Sequence, residues 1–326
     1  MGHNIYITRR IPEAGIQLLR DRGANVEVNP HDRSLSHDEL RAAVVGRDGL
    51  CCMLSDPINA DILDAAGPSC RVIANYAVGF NNIDISAATD RNIVVTNTTG
   101  VLTESTADLA WALLMTVARR VNESEPLVRA GRWTGWAPLQ YLGRDVHGAT
   151  LVIVGAGRIG SAVARRAVGF DMRILYVARQ ANPELDAIGA RQVDLPEALR
   201  EADFLSLHVP LTPETQHLIG PRELAMMKPT AYLINTARGP VVDEKALVEA
   251  LRTERIAGAA LDVYEWEPEL ADGLADLPNV VCLPHLGSAT HATRTRMSEM
   301  VAEDVWAVLD GRRPANPVNP EIFDKR

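Results

Sequence analysis

The sequence predicts an α/β protein built on two doubly wound parallel sheets, and three observations carry this reading. Short β-branched runs alternate with helix-like stretches along nearly the whole chain, a pattern that favours parallel strands covered by helices on both faces. The alternation falls into two successive series, divided by a long amphipathic segment that begins near residue 103. At 326 residues the chain has the length of about two domains.

The first series has strand-like runs at "NIYITR" (4–9), "NVEVN" (25–29), "GLCCML" (49–54), "RVIAN" (71–75) and "NIVVTN" (92–97). Helical stretches separate them, such as "PEAGIQLLRDRG", with Pro near its start and Gly at its end. The dividing segment, "TESTADLAWALLMTVARRV" (103–121), has an apolar face and a basic end and predicts one long helix. The second series runs through "TLVIVGA" (150–156), "RILYVA" (173–178), "RQVD" (191–194), "DFLSLHV" (203–209), "AYLINTA" (231–237), "IAGAALDV" (256–263) and "VVCLP" (280–284). A last helix is expected over roughly 291–310. The tail "GRRPANPVNP" follows it, too rich in proline to continue the helix or join a central strand. The chain is therefore expected to start in the first unit, build the second whole, and return.

Composition narrows the function. A net charge of −9 argues against nucleic acid or an anionic membrane as partner, because either demands a basic field. No apolar run approaches the eighteen or so residues of a membrane span. The start, "MGHNIYITRR", enters a strand pattern at once, without a signal-peptide core or a myristoylation signal. Cys51, Cys52, Cys70 and Cys282 lie in or beside apolar runs and form no C-x-x-C pair. They read as buried thiols of a cytoplasmic protein.

"GAGRIG" (155–160) sits between an apolar strand and a helix, and another strand follows. In that context Gly155 allows a tight turn, Gly157 lets the backbone approach a pyrophosphate, and Gly160 lets helix and strand pack closely. The helix start then offers N–H groups and a positive dipole end to the phosphates. The next strand, in "RILYVARQ", ends in Arg179, about twenty residues past Gly160, where an NAD site places an acid for the ribose hydroxyls. A positive charge there predicts a partner with a 2′-phosphate, NADP(H), with Gln180 as a neutral donor beside it. A solvated arginine at a strand end is the plain alternative.

Three stretches of the second series sit where strands end, the edge at which open parallel sheets place their ligands. They are "INTARGPVVDE" (234–244), "LDVYEWEPE" (261–269) and "LPHLGSATH" (283–291), and they supply Arg238, Glu267 and His285. A guanidinium grips a carboxylate in two places and polarises an adjacent carbonyl. A histidine hands a proton to a developing alkoxide near neutral pH. A carboxylate on the far ring nitrogen fixes the tautomer and favours the protonated ring. Singly, each residue has an ordinary structural explanation; together, beside a dinucleotide motif, they suit reduction of a 2-oxo acid. No metal is needed, because Arg238 supplies the electrophile.

The sequence resembles the D-2-hydroxyacid dehydrogenase family, and within it the glyoxylate/hydroxypyruvate reductases. The resemblance runs through "NYAVGFNNIDISAAT", "GVLTESTADLAWALL", "VGAGRIG", "SLHVPLTPETQHLIG", "LINTARGPVVDEKAL", "AGAALDVYEWEP" and "PHLGSATH". It implies a flavodoxin-like substrate domain from 1–100 plus 291–326, a Rossmann cofactor domain from 101–290, an interdomain cleft and a homodimer. It also implies hydride delivery from a reduced nicotinamide, with Arg238 binding the substrate, Glu267 supporting His285, and His285 giving the proton. Backbone N–H groups of Val78 and Gly79 match a cradle for the substrate carboxylate, with Leu54 and Ser288 lining the same pocket. Thr106 matches a contact near the nicotinamide phosphate, and Asp262 one to the carboxamide. Further cofactor contacts are implied at Arg158, Ile159, Val209, Pro210, Thr215, Thr236, Ala237 and Gly287. Trp136 resembles a tryptophan that animal-type relatives insert into the neighbouring subunit's site; ordinary dimer packing explains it equally well.

Departures sharpen the expectation. NADP-using animal-type relatives carry a second arginine three residues after the first; here Asn182 stands there, which predicts a weaker clamp and some NADH use. Formate-oxidising relatives have glutamine in place of Glu267. The stretch "CCMLSDP" is uncharged until Asp56, unlike phosphoglycerate dehydrogenases, and points to a small, unphosphorylated substrate. The expected reaction is NADPH-preferring reduction of glyoxylate and hydroxypyruvate. Two alternatives are a reductase of larger 2-oxo acids such as 2-ketogluconate, and a nucleotide-sensing, corepressor-like binding protein.

Overall fold

The computed structural model describes residues 2–325. The chain divides into two units, Met1–Leu102 with Ser288–Arg326, and Thr103–Gly287.

The first unit holds β1 (Asn4–Ile7), β2 (Asn25–Val28), β3 (Gly49–Cys52), β4 (Val72–Asn75) and β5 (Val94–Thr96). All pair in parallel, in the order β2-β1-β3-β4-β5. Successive side chains of a strand face opposite ways, so Ile5 and Ile7 enter one core with Ile16, Leu19, Val301 and Val305, while Tyr6 enters the other with Leu40, Ile62 and Leu63. Burial on both faces is why β3 and β4 read as continuous apolar runs rather than alternating ones. The returning helix, His291–Leu309, packs on the helix Glu13–Asp21 so closely that a Cβ on Gly15 would lie 2.2 Å from the Ser298 carbonyl oxygen. The proline-rich tail then runs along the edge strand: Val318 N–H donates to the Val95 carbonyl, and the Asn319 side chain accepts the Val95 N–H at 2.8 Å.

The second unit holds β6 (Thr150–Val154), β7 (Arg173–Val177), β8 (Arg191–Gln192), β9 (Phe204–Leu207), β10 (Tyr232–Asn235), β11 (Gly258–Leu261) and β12 (Val280–Cys282). Their order is β12-β11-β10-β9-β6-β7-β8, again parallel. Val152, Leu205, Leu233 and Ala259 face one core; Leu151, Ile153, Phe204 and Ile234 face the other, under the helices Thr103–Ala118 and Arg158–Ala167. Each fully buried Leu or Ile of this kind contributes about 1.5–3 kcal/mol. The strand order reverses between β6 and β9, which opens a crevice beyond their carboxyl ends.

Two local expectations change. The run 103–121 is not one helix: it stops at Ala118, Arg120 turns left-handed (φ 52°), and a second helix, Val121–Arg129, follows with Pro126 inside it. The strand expected to end in Arg179 ends at Val177, and Arg179 lies exposed in the bend beyond it.

Candidate active site

The three glycines of the turn after β6 do three different jobs. Gly155 has φ +102°, and a Cβ there would lie 2.7 Å from the backbone of His208, so β6 and the end of β9 meet without room for a side chain. A Cβ on Gly160 would lie 2.1 Å from the Gly155 carbonyl oxygen, which closes the helix onto its own turn. A Cβ on Gly157 would meet nothing within 4 Å. That open space lies at the first turn of the helix Arg158–Ala167, whose N–H groups attract phosphate. Arg158 is exposed and Ile159 half-buried on that turn.

Around the crevice, Nδ1 of His208 and Oγ1 of Thr236 are buried without a hydrogen-bond partner among the described residues. Buried polar atoms of this kind are rare in finished structures, and these two follow β9 and β10, at the same edge as the glycine turn. The open cradle and the orphaned atoms fit a bound dinucleotide. Thr106 and Thr215 are less available: Thr106 Oγ1 donates to the Gly287 carbonyl at 3.1 Å, and Thr215 Oγ1 to the Pro210 carbonyl at 2.6 Å. Val209 packs at the rim of the core, Ala237 is buried, and Gln180 is exposed.

Arg179 is exposed, and its charge helps hold the Glu214 carboxyl below its ordinary value, after the larger effect of a hydrogen bond from Thr212. Asn182, where some relatives have a second arginine, is fully engaged. It caps the helix Pro183–Ala187, and its amide donates to the Ala156 carbonyl at 2.9 Å and to Ser161 Oγ at 3.0 Å. The bend after β7 is thereby tied to the glycine turn, a role the sequence did not reveal.

Arg238, Glu267 and His285 follow β10, β11 and β12, three neighbouring strands. Asn235 shapes the first turn: its side-chain oxygen accepts the Ala237 N–H and its amide donates to the Arg238 carbonyl, both at 3.0 Å. Burial lowers the pKa of Arg238 and the nearby Glu267 charge opposes that shift; the guanidinium stays cationic. Glu267 Oε1 accepts the Tyr264 N–H at 3.0 Å, and Oε2 lies 2.9 Å from Nδ1 of His285. An ionised carboxylate only accepts, so Nδ1 carries the proton in this pair and Nε2 is the nitrogen on the far side. Burial pushes the Glu267 carboxyl up, but the His285 hydrogen bond and charge, the Tyr264 N–H and Arg238 together bring it below its ordinary value.

His285 adopts φ 54°, uncommon for a residue with a side chain. Asp262 holds it there. The Asp262 carbonyl accepts the His285 N–H at 3.0 Å, and its carboxylate takes the N–H groups of Leu286 and Gly287 at 2.6 and 2.8 Å. Burial pushes the Asp262 carboxyl up, against these donors. Asp262, expected to contact the carboxamide, therefore already serves the turn that carries His285.

In the first unit, the Val78 and Gly79 carbonyls accept from the Asn97 and Asn75 amides at 2.7 and 2.8 Å, which fixes the backbone of the expected carboxylate cradle. Leu54 is exposed after β3, on a loop held by buried Asp56, whose carboxylate takes the Thr8 hydroxyl at 2.5 Å and the Met53 N–H at 2.7 Å. Ser288 opens the returning segment of that unit, ahead of Thr290, whose N–H bonds its carbonyl. In the second unit, Trp133, Trp136, Leu139 and Leu142 are exposed along the segment after Arg129, Trp136 at 83%.

A doubly wound sheet with a glycine turn at its switch point defines a dinucleotide-binding protein. Residues 111–287 match the family model described as D-isomer specific 2-hydroxyacid dehydrogenase, NAD binding domain. A glyoxylate reductase of Thermococcus onnurineus is 49% identical, with 100% of this chain and 98% of that protein covered. A structure from Thermus thermophilus superposes with a TM-score of 0.92 at 47% identity, covering 97% of this chain and 99% of the other. An NADPH-dependent glyoxylate/hydroxypyruvate reductase from Sinorhizobium meliloti, solved with NADP and malonate, gives a TM-score of 0.85 at 34% identity, covering 98% and 97%. The chain belongs to the D-isomer specific 2-hydroxyacid dehydrogenase family. It is an NAD(P)-dependent oxidoreductase acting between 2-hydroxy and 2-oxo acids.

Proposed function

We propose that the protein reduces small 2-oxo acids with a preference for NADPH, glyoxylate to glycolate and hydroxypyruvate to D-glycerate. The observation that carries this is the 2.9 Å bond between His285 Nδ1 and Glu267, at the sheet edge that also carries Arg238 and the glycine turn. A bound reduced nicotinamide supplies the hydride. Arg238 grips the substrate carboxylate and polarises the ketone, more strongly for being half-buried. Glu267 accepts from Nδ1–H and holds the ring so that Nε2 gives a proton to the oxygen as negative charge develops there.

The NADPH preference rests on exposed Arg179, where an acid would favour NAD, and on the NADP held by the Sinorhizobium relative. A homodimer is proposed from the exposed Trp133, Trp136, Leu139 and Leu142, with Trp136 either at the neighbouring subunit's site or in plain dimer packing. The four unpaired cysteines support a cytoplasmic location. Among the described residues no helix is long and apolar enough to cross a membrane.

The test is NADPH and NADH consumption over a panel of glyoxylate, hydroxypyruvate, pyruvate and 2-ketogluconate. Highest kcat/KM for the first two with NADPH is the expected result. A preference for 2-ketogluconate would move the assignment to larger acids, and nucleotide binding without turnover would leave a nucleotide-sensing protein.

A further inference from the structure

We infer that Glu244 is a positioning residue for the reduction, acting through the segment Tyr264–Ala271 on both Glu267 and Arg238; this rests on the roles proposed above for those two residues. Glu244 opens the helix Glu244–Arg252, where an acidic side chain ordinarily faces water, yet it is only 3% exposed. Its carboxylate reaches across to the segment that carries Glu267: one oxygen accepts the Glu265 N–H at 2.9 Å, the other the Ala271 N–H at 3.2 Å. Glu265 returns the contact. One of its oxygens accepts the Glu244 N–H at 3.2 Å, and the other lies 2.6 Å from Nε2 of His217.

The latch joins few other ties in this segment, among them the Tyr264 hydroxyl on the Leu283 carbonyl at 2.8 Å. The segment lies between β11, which ends at Leu261, and β12, which begins at Val280, so no strand ladder fixes it. Glu267 stands two residues beyond Glu265 and takes the Tyr264 N–H. On the other side, a Cβ on Gly239 would lie 1.8 Å from the Tyr264 carbonyl carbon and 2.4 Å from the Glu265 nitrogen. The residue after Arg238 thus presses backbone to backbone on the residues before Glu267. A shift at Glu265 moves the guanidinium and the carboxylate together. Burying a carboxylate is costly unless its oxygens are satisfied, and here that satisfaction is the latch itself.

The experiment compares wild type, Glu244→Gln, Glu267→Gln and the double variant. It measures kcat and KM for glyoxylate at saturating NADPH, NADPH binding by fluorescence, and the melting temperature. In Glu244→Gln an amide NH2 faces one of the two backbone N–H groups. A misplacement of that order lowers kcat roughly tenfold to a hundredfold, with NADPH affinity kept within about twofold. The kcat losses of the two single variants should be less than additive in the double variant. A folded Glu244→Gln with wild-type kcat overturns the inference, as does a loss of stability and NADPH binding with additive kcat losses in the double variant. Should Glu244→Gln fail to fold, Glu265→Gln carries the same expectations. A wild-type kcat in Glu267→Gln would instead refute the catalytic reading on which this one rests.

Discussion

Glu267 binds His285 with one carboxylate oxygen and the Tyr264 N–H with the other, so the group that orients the imidazole is itself held by the backbone three residues before it. Its carboxyl sits below the ordinary value of 4.5 because these partners and Arg238 outweigh the effect of burial. Two consequences follow for Glu267→Gln. The carboxylate that fixes the imidazole is lost, so kcat for glyoxylate reduction should fall roughly tenfold to a hundredfold. A depressed folded pKa stabilises above the unfolded value and ceases to as pH falls through the folded one. The stability advantage of wild type should therefore be full above pH 4.5 and fade below it, read as melting temperature against pH in both proteins. An unchanged kcat would mean that Glu267 does not position the proposed acid.

His285→Ala should reduce turnover by at least about a hundredfold while NADPH still binds, since a general acid typically contributes that much. His208 is the poorer candidate for the role, because burial pushes its pKa down to about 3 and disfavours the protonated ring. Stopped-flow reduction rates with bound NADPH measure the loss directly, and near-normal turnover would transfer the proton to another group.

Arg179→Ala should weaken NADPH use by roughly ten- to a hundredfold, the equivalent of a charge-assisted bond, and leave NADH use nearly unchanged. Equal losses with both cofactors would make Arg179 structural. Asn182→Arg should not strengthen the clamp. It removes a helix cap worth about 1 kcal/mol and the bonds to Ala156 and Ser161. A lowered melting temperature without tighter NADPH binding is the expected outcome.

Gly157→Ala and Gly160→Ala should part company. The first places a methyl in open space with φ −80°, so the folded protein should melt within a few degrees of wild type while NADPH affinity falls about tenfold or more, as a phosphate cradle requires. The second drives a methyl to 2.1 Å from the Gly155 carbonyl oxygen, and should cost more than about 1–3 kcal/mol of stability. Thermal melts and fluorescence titrations distinguish the two.

The strands, the glycine turn and the three residues at the sheet edge were legible in the sequence because each depends on signals carried within a few positions. The two-residue side-chain alternation and the apolar runs mark a strand covered on one or both faces, and Gly155, Gly157 and Gly160 are spaced by the turn they make. Arg238, Glu267 and His285 could be nominated because a strand end fixes where a side chain emerges, whatever lies elsewhere. What the tertiary structure alone decided is long-range. That Asn182 ties to the glycine turn, that Asp262 holds the left-handed His285 turn, and that Glu244 and Glu265 exchange backbone bonds all require segments 21 or more residues apart to meet. An Asn, an Asp or a Glu reads in sequence as a cap or a solvated charge, and only packing says otherwise. The break between Ala118 and Val121 is of the same kind: helix propensity runs on through Arg120, and its left-handed backbone ends the first helix there.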